Sequence, residues 1–273
     1  MSIVLNEHDF AESAIKTRSL GVKPSETLRR VARFFIDEGG GELPKDEVRK
    51  LLDTFLLRCE PTASVPKWSK MLDFATEWAF KHKAVKIDSI HITKPELDKI
   101  QALEGKQIKR LAFVLLFLSK YWNLVNESND FWVNNKDSEI MSFANINTSI
   151  RRQSAMYSTL RDLGMIQFSR KVDNTNVRVC FSEDGEVAMT VTDLRNLGYQ
   201  YLKYIGEPYF ECEHCGVVIK AKGADGNKKG GRPQKYCAEC ALEISTRQRV
   251  NSVMKRNAVN KRGNKTRVDL QVS

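Results

Sequence analysis

The chain has 273 residues and a mass of 31.2 kDa, a length at which one to three domains are the rule. With 41% hydrophobic and 29% charged residues it reads as a folded protein; no apolar run nears the roughly 20 residues that span a bilayer, and Asn6, Glu7, His8 and Asp9 interrupt the opening apolar stretch too early for a signal peptide. The net charge of +10 is concentrated: from Val217 onward there are 14 Lys and Arg against 4 Asp and Glu, and the 216 residues before it balance. A neutral body with a basic end suits a polyanion partner, and the plain alternative is a solubilising tail.

In chain order, the first third reads as helical. Pro24-Ser25-Glu26 opens a helix with Leu28, Val31, Phe34 and Phe35 on one period, stopped by Gly39-Gly40-Gly41. Pro44-Lys45-Asp46-Glu47 opens a second with Val48, Leu51, Leu52 and Phe55. A third follows Pro66 and carries Trp68, Met71, Leu72, Ala75 and Trp78. Val85-Lys86-Ile87 and Ile90-His91-Ile92 flank an Asp88-Ser89 turn, which predicts a small hairpin. Residues 1–104 are read as a helical domain; three helices and a hairpin are also the order of a degenerate winged helix, though any small helical domain can end in a hairpin. Thr93-Lys94-Pro95-Glu96 caps the next helix.

Residues 105–205 carry the clearer pattern. Ile108, Leu111, Ala112, Leu115 and Leu118 mark a helix running to about Trp122, and Phe131-Trp132-Val133 reads as a short strand. Asp137 caps a brief helix with Ile140, Met141 and Ala144. After a turn at Asn145–Thr148, Ser149 starts a helix that Gly164 ends, with Ile150, Met156, Leu160 and Leu163 expected to face inward. Two strands follow, 165–168 and 177–181, joined by a polar loop. Helix, strand, helix, turn, helix and two strands is the element order of a winged helix-turn-helix. In that fold the second helix of the turn enters the major groove by its N-terminal end. Arg151, Arg152 and Gln153 are therefore the candidates for base edges, since Arg pairs with guanine and Gln with adenine. Lys171 in the wing is the candidate for phosphate or minor groove.

The sharpest motif lies in residues 206–273. Cys212-Glu213-His214-Cys215-Gly216 and Tyr236-Cys237-Ala238-Glu239-Cys240 form two Cys-x-x-Cys knuckles. Each presents two thiolates from one tight turn, and two knuckles converge on a tetrahedral ion, so Cys212, Cys215, Cys237 and Cys240 are read as Zn²⁺ ligands. A redox dithiol is the poorer reading, because the pairs are matched and no thioredoxin-like pattern accompanies them. His214 is read as a bystander or weak competitor. The second knuckle runs into helix-like sequence, which gives a treble-clef-like four-cysteine zinc finger. Without an export signal the cysteine pattern fits a reducing, cytoplasmic compartment, and Cys59 and Cys180 stand alone in apolar surroundings.

Between the knuckles, Lys228, Lys229, Arg232 and Lys235 surround a Gly-Arg-Pro that resembles the core of an AT-hook; a flexible phosphate-binding loop is the other reading. Residues 244–268 hold Arg247, Arg249, Lys255, Arg256, Lys261, Arg262, Lys265 and Arg267 and no acid. This predicts a basic helix, stopped at Gly263, that lies against phosphates. His8, His82, His91 and His214 are scattered, and no phosphate-cradling loop or nucleophile elbow is present, so no enzyme is expected.

The knuckle Cys-x-x-Cys-Gly, the Lys-Tyr-Cys-x-x-Cys-Ala that follows and the basic helix together resemble proteins of bacterial phages and mobile elements that join a winged helix-turn-helix to a C-terminal four-cysteine finger. The resemblance covers mainly residues 106–262 and brings no assigned chemistry. It implies a bacterial cytoplasmic setting, at the nucleoid or in the host of a phage, and a role in replication, transcription regulation or host takeover. The fold class expected is mainly α with small β-hairpins. The function expected is selective DNA binding, with DNA favoured over RNA and no membrane. The rival reading is a protein-interaction factor, such as a phage-encoded inhibitor, docking on a nucleoprotein machine (polymerase or nuclease) through Trp68, Trp78, Trp122 or Trp132.

Overall fold

The structure is a computed structural model that describes residues 3–169, 176–221 and 234–269, with the side chains of 255 and 257–269 left out. The chain is mainly helical with small antiparallel sheets. Its elements are α1 (Glu7–Thr17), α2 (Pro24–Glu38), α3 (Lys45–Cys59), α4 (Val65–Lys81), β1 (Ile90–Thr93), α5 (Lys94–Gln101), α6 (Lys106–Asn126) and β2 (Trp132–Val133). After these come α7 (Asp137–Phe143), α8 (Ile150–Asp162), β3 (Ile166–Phe168), β4 (Val177–Val179) and β5 (Val187–Val191), then α9 (Leu197–Tyr204), β6 (Tyr209–Glu211), β7 (Val218–Lys220) and α10 (Ala238–Asp269). They form two compact units, one of residues 1–136 with 148–194, the other of 137–147 with 195–273. Neither unit is continuous in sequence.

In the first unit, α1 to α4 share a core of Leu28, Val31, Leu52, Leu56, Leu72 and Ala79. Helix α1, which lacks a strong periodic signal, is fixed from outside. Asn6 caps it by accepting from His8 N and Asp9 N, and its buried Glu7 accepts from Arg30 Nε at 3.0 Å. Helix α6 is buried without a break from Leu111 to Ser119, which is why its sequence reads as an apolar run. Thr93 and Glu96 form the expected capping box at α5.

The hairpin expected at 85–92 does not form. Lys86 bridges to Asn6 instead, and the neighbouring backbone bonds go to Leu5 and Glu7. Strand β1 pairs antiparallel with β5, about a hundred residues downstream, with Ile90 opposite Val191. Ile90 and Ile92, on one face of the strand, are both buried. A second sheet has the order β2-β4-β3. Helix α8 ends as expected, with Gly164 at φ +70° and Met165 N donating to Leu160 O. Its inward face is Met156, Tyr157 and Leu160. Ile150 and Leu163, expected inward, are 80% and 59% exposed, because they are the first residue and the cap of the helix and lie past the packed surface. Cys180 is likewise exposed.

In the second unit, α9 approaches the end of α7 closely. A Cβ on Gly198 would lie 2.2 Å from Ala144 O, so only glycine fits there. Asn145 Nδ2 donates to Asn196 Oδ1 at 2.9 Å, and both asparagines have positive φ. Strands β6 and β7 pair as a hairpin that carries the first knuckle at its turn.

Candidate metal centre and basic surfaces

The first knuckle is shaped by its hairpin. Cys212 N donates to Val217 O at 3.0 Å, closing the β6–β7 ladder, and Gly216 N donates to Cys212 O at 2.9 Å. Gly216 sits at φ +75°, the left-handed conformation that the turn needs and that a side chain would strain. Two residues outside the motif hold the hairpin from behind. Arg195 Nη2 donates to Cys215 O at 2.6 Å, and Asn196 Nδ2 donates to Val218 O at 3.0 Å. The sequence carries no signal for either role, since Arg-Asn before a helix is an ordinary pair.

The second knuckle opens α10. Cys237 is the residue before the first helical position, and its sulfur accepts from Cys240 N at 3.4 Å, as a capping side chain does. Cys237 N in turn donates to Cys212 Sγ at 3.3 Å, and Glu213 N donates to Lys235 O. All four sulfurs lie within 4.8 Å of one another, with Cys215 and Cys237 3.9 Å apart. A tetrahedron with metal–sulfur bonds of about 2.3 Å has edges of about 3.8 Å, so the four ligand atoms already stand close to that arrangement. Cys212, Cys237 and Cys240 are buried and Cys215 partly so. His214 is exposed and outside the cluster.

The electrostatics of the cluster are uneven. Burial works against the Cys212 thiolate, yet the backbone N–H groups of Cys237, Cys215 and His214 bring its pKa down to about 6. The Cys240 thiol is pushed up by its contact with the Cys237 sulfur and by burial. Four soft donors and no carboxylate, held by N–H groups at a helix start, make a site that can hold a metal ion.

Helix α10 leaves this site and runs to Asp269, past Gly263, which does not stop it. A single interior glycine costs about 1 kcal/mol, and nothing at that position imposes the left-handed turn that ends a helix. From Thr246 to Met254, and at Arg256, every side chain is exposed, including Val250, Val253 and Met254. Arg249 and Arg256 are exposed, and Arg247 pairs with Glu243 at 3.3 Å. Lys235 pairs with Glu213 at 3.2 Å. Lys255, Lys261 and Arg262 lie on the backbone of α10 but their side chains are outside the described residues, and Lys171, Lys228, Lys229 and Arg232 lie wholly outside them.

In the other unit, Arg151 and Arg152 are exposed at the start of α8. Gln153 is half-buried, and its Nε2 donates back to Thr148 O at 3.1 Å. The other three histidines have local partners: His8 meets Glu38 at 3.0 Å, His82 stacks on Trp78, and His91 meets Thr190 Oγ1. Among the described residues no helix is long and apolar enough to cross a membrane. No protein-family model matches the chain, and no curated protein or solved structure matches it either.

Proposed function

We propose that this chain is a nucleic-acid-binding protein, with duplex DNA its first ligand, in which Cys212, Cys215, Cys237 and Cys240 hold a structural Zn²⁺ that anchors a basic helix. The carrying observation is that two of the four clustered cysteines, Cys237 and Cys240, form the N-terminal end of α10. The helix they start has eight bases and no acid over residues 244–268, and its described side chains beyond Ser245 are exposed. A helix exposed all round gains no stability from a core. What such a helix offers is charge on a rigid mount, and a phosphate backbone is the surface that neutralises it. Bound zinc supplies a cross-link between the β6–β7 hairpin and the first turn of α10, contributing on the order of 10 kcal/mol to folding of that region.

The element order around α8 supports selectivity. The succession α6, β2, α7, α8, β3, β4, with β2-β4-β3 as the sheet order, is compatible with a winged helix-turn-helix, and on that reading α8 offers Arg151 and Arg152 to base edges. Gln153, tied to its own backbone, is the weakest of the three candidates. The role is that of a regulator or replication factor of the phage or mobile-element kind, a binding protein and not an enzyme.

A second reading, docking on a nucleoprotein machine, is favoured by exposed apolar side chains on α3 and α4, where Phe74 is 53% and Leu57 42% exposed. Gel shift of duplex DNA by the purified zinc-loaded chain separates the two. A shift that fades with salt and is lost in a chain ending before Val217 supports direct binding. No shift at low salt, on DNA or RNA, sinks it and leaves docking.

A further inference from the structure

A cleft of about 470 Å³ opens in the first unit between the end of α6 and the sheet β2-β4-β3. Its lining brings together two indoles, Trp122 and Trp132, four primary amides, Asn123, Asn126, Asn134 and Asn176, and the carboxylate of Asp130. Among the described residues the lining holds no Lys or Arg.

The cleft is built in advance. Trp122 Nε1 donates to Asn135 Oδ1 at 2.7 Å, which fixes the indole plane. The segment between α6 and β2 is folded back by Asn123, whose Oδ1 accepts from Phe131 N at 2.9 Å and whose backbone oxygen accepts from Ser128 N. Glu127 and Phe131, at either side of it, are held at φ 50° and 56°. Left-handed conformations at non-glycine residues persist where surrounding bonds impose them, and they concentrate at ligand sites. Asp130 is positioned through its carbonyl, which accepts from Arg178 Nε at 3.2 Å.

We propose that this cleft binds an unpaired nucleobase, preferring bases with an exocyclic amino group. Indole faces stack on any base, and amides offer a donor and an acceptor side by side, the pattern that reads an adenine edge. A carboxylate only accepts, so Asp130 rewards the amino groups of adenine, cytosine and guanine and repels the paired carbonyls of thymine. The choice of a base over a sugar ring, which also stacks on indole, rests on the nucleic-acid reading above.

The test uses full-length protein and calorimetric titration with adenosine, cytidine, thymidine and glucose, followed by a short single-stranded oligonucleotide. Free nucleosides carry no phosphate, so α10 plays no part. The expectation is that adenosine and cytidine bind and quench indole fluorescence, that thymidine binds several-fold more weakly and that glucose does not bind. Trp132→Ala should weaken adenosine at least tenfold, while Asp130→Asn should keep the fold and erase the preference over thymidine. Tighter binding of the oligonucleotide than of adenosine identifies a nucleic-acid strand as the source of the base; equal binding identifies a free nucleoside. Nucleosides that fail to bind, glucose that binds in their place, or adenosine affinity untouched by both variants overturns the proposal. Adenosine binding without any duplex gel shift upholds the cleft and defeats the basic-helix reading instead.

Discussion

The sulfur of Cys237 accepts the backbone N–H of Cys240 at 3.4 Å, so one ligand of the cysteine cluster caps the helix that another ligand belongs to. The orphan N–H groups at a helix start need acceptors, and the Cys237 sulfur takes the one at Cys240, so an ion held by the cluster would share a ligand with the helix cap. Metal removal should consequently act on α10 as a whole. Chelation, or Cys237→Ser, is expected to remove amide-exchange protection across the β6–β7 hairpin and α10 while the amides of α6 keep theirs. Serine can still cap, but it is a poor zinc ligand, so protection lost in Cys237→Ser assigns the effect to the metal. Unchanged protection of α10 after complete metal removal defeats the idea.

The four-cysteine cluster was legible because its chemistry is local: two Cys-x-x-Cys pairs and one glycine state both the cluster and the turn. The helices with a period-3.6 apolar face were legible for the same reason, as was the end of α8 at Gly164. What the residues alone did not show depends on partners far along the chain. Strand β1 looks like half of a hairpin until Val187–Val191 arrives from about a hundred residues away. Helix α1 has few core residues and is held by a capping asparagine and the Glu7–Arg30 pair. The support of the metal site by Arg195 and Asn196 runs through backbone carbonyls of Cys215 and Val218, and any residue has a carbonyl, so no pattern marks it. The Trp122–Trp132 cleft was hidden because tryptophans at such spacing read as core.

Glu96 ties the first unit together. Its buried carboxylate accepts from Thr93 N, Lys120 Nζ, Ser182 Oγ and Glu183 N. Burial alone would raise its pKa, but the Lys120 ammonium and the backbone donors outweigh that and hold it below the ordinary glutamate value. A pKa depressed by folding stabilises the fold above the unfolded value and ceases to do so as pH falls. Stability should therefore begin to drop near pH ~4.3, the ordinary glutamate value, and go on dropping below it. Glu96→Gln should cost about 3 kcal/mol at neutral pH, the penalty for stranding a partly buried charge. Urea midpoints of both proteins at neutral pH and in acid, below the ordinary glutamate value, check this, and the gap between them should shrink in acid.

Gly198 places its Cα against the carbonyl of Ala144. An added methyl would sit 2.2 Å from that oxygen, and the neighbour is backbone, so it cannot rotate away. Gly198→Ala raises the helix propensity of α9 and yet should destabilise the second unit by about 1–3 kcal/mol, the usual cost of overpacking. Thermal unfolding followed by the absorbance of cobalt bound to the cysteines would read that unit alone. A stabilised variant would mean that α9 and α7 part easily.

The charge on α10 should appear as a slope. Each phosphate neutralised on duplex DNA contributes about 0.9 to the fall of log affinity with log salt. Arg247, Arg249 and Arg256 are exposed, so changing all three to Ala should lower the slope by about 3 and weaken every duplex alike. Affinity that drops for one sequence only, with the slope intact, would assign these residues to base edges and contradict the clamp.

Arg151 and Arg152 give the opposite signature if α8 reads bases. A bidentate arginine–guanine pair is worth about 1–3 kcal/mol against the wrong base, so Arg151→Ala or Arg152→Ala should cost about tenfold or more on a preferred duplex selected from a random pool. The same change should cost much less on random sequence. Both side chains are exposed and stand one helical turn or less from the N-terminal end of α8, the end that meets base edges in a helix-turn-helix. Repeating the selection with each variant shows which positions of the preferred site relax. A uniform loss on all duplexes, with a shallower salt slope, would move both arginines to the phosphate backbone and leave the selectivity to other residues.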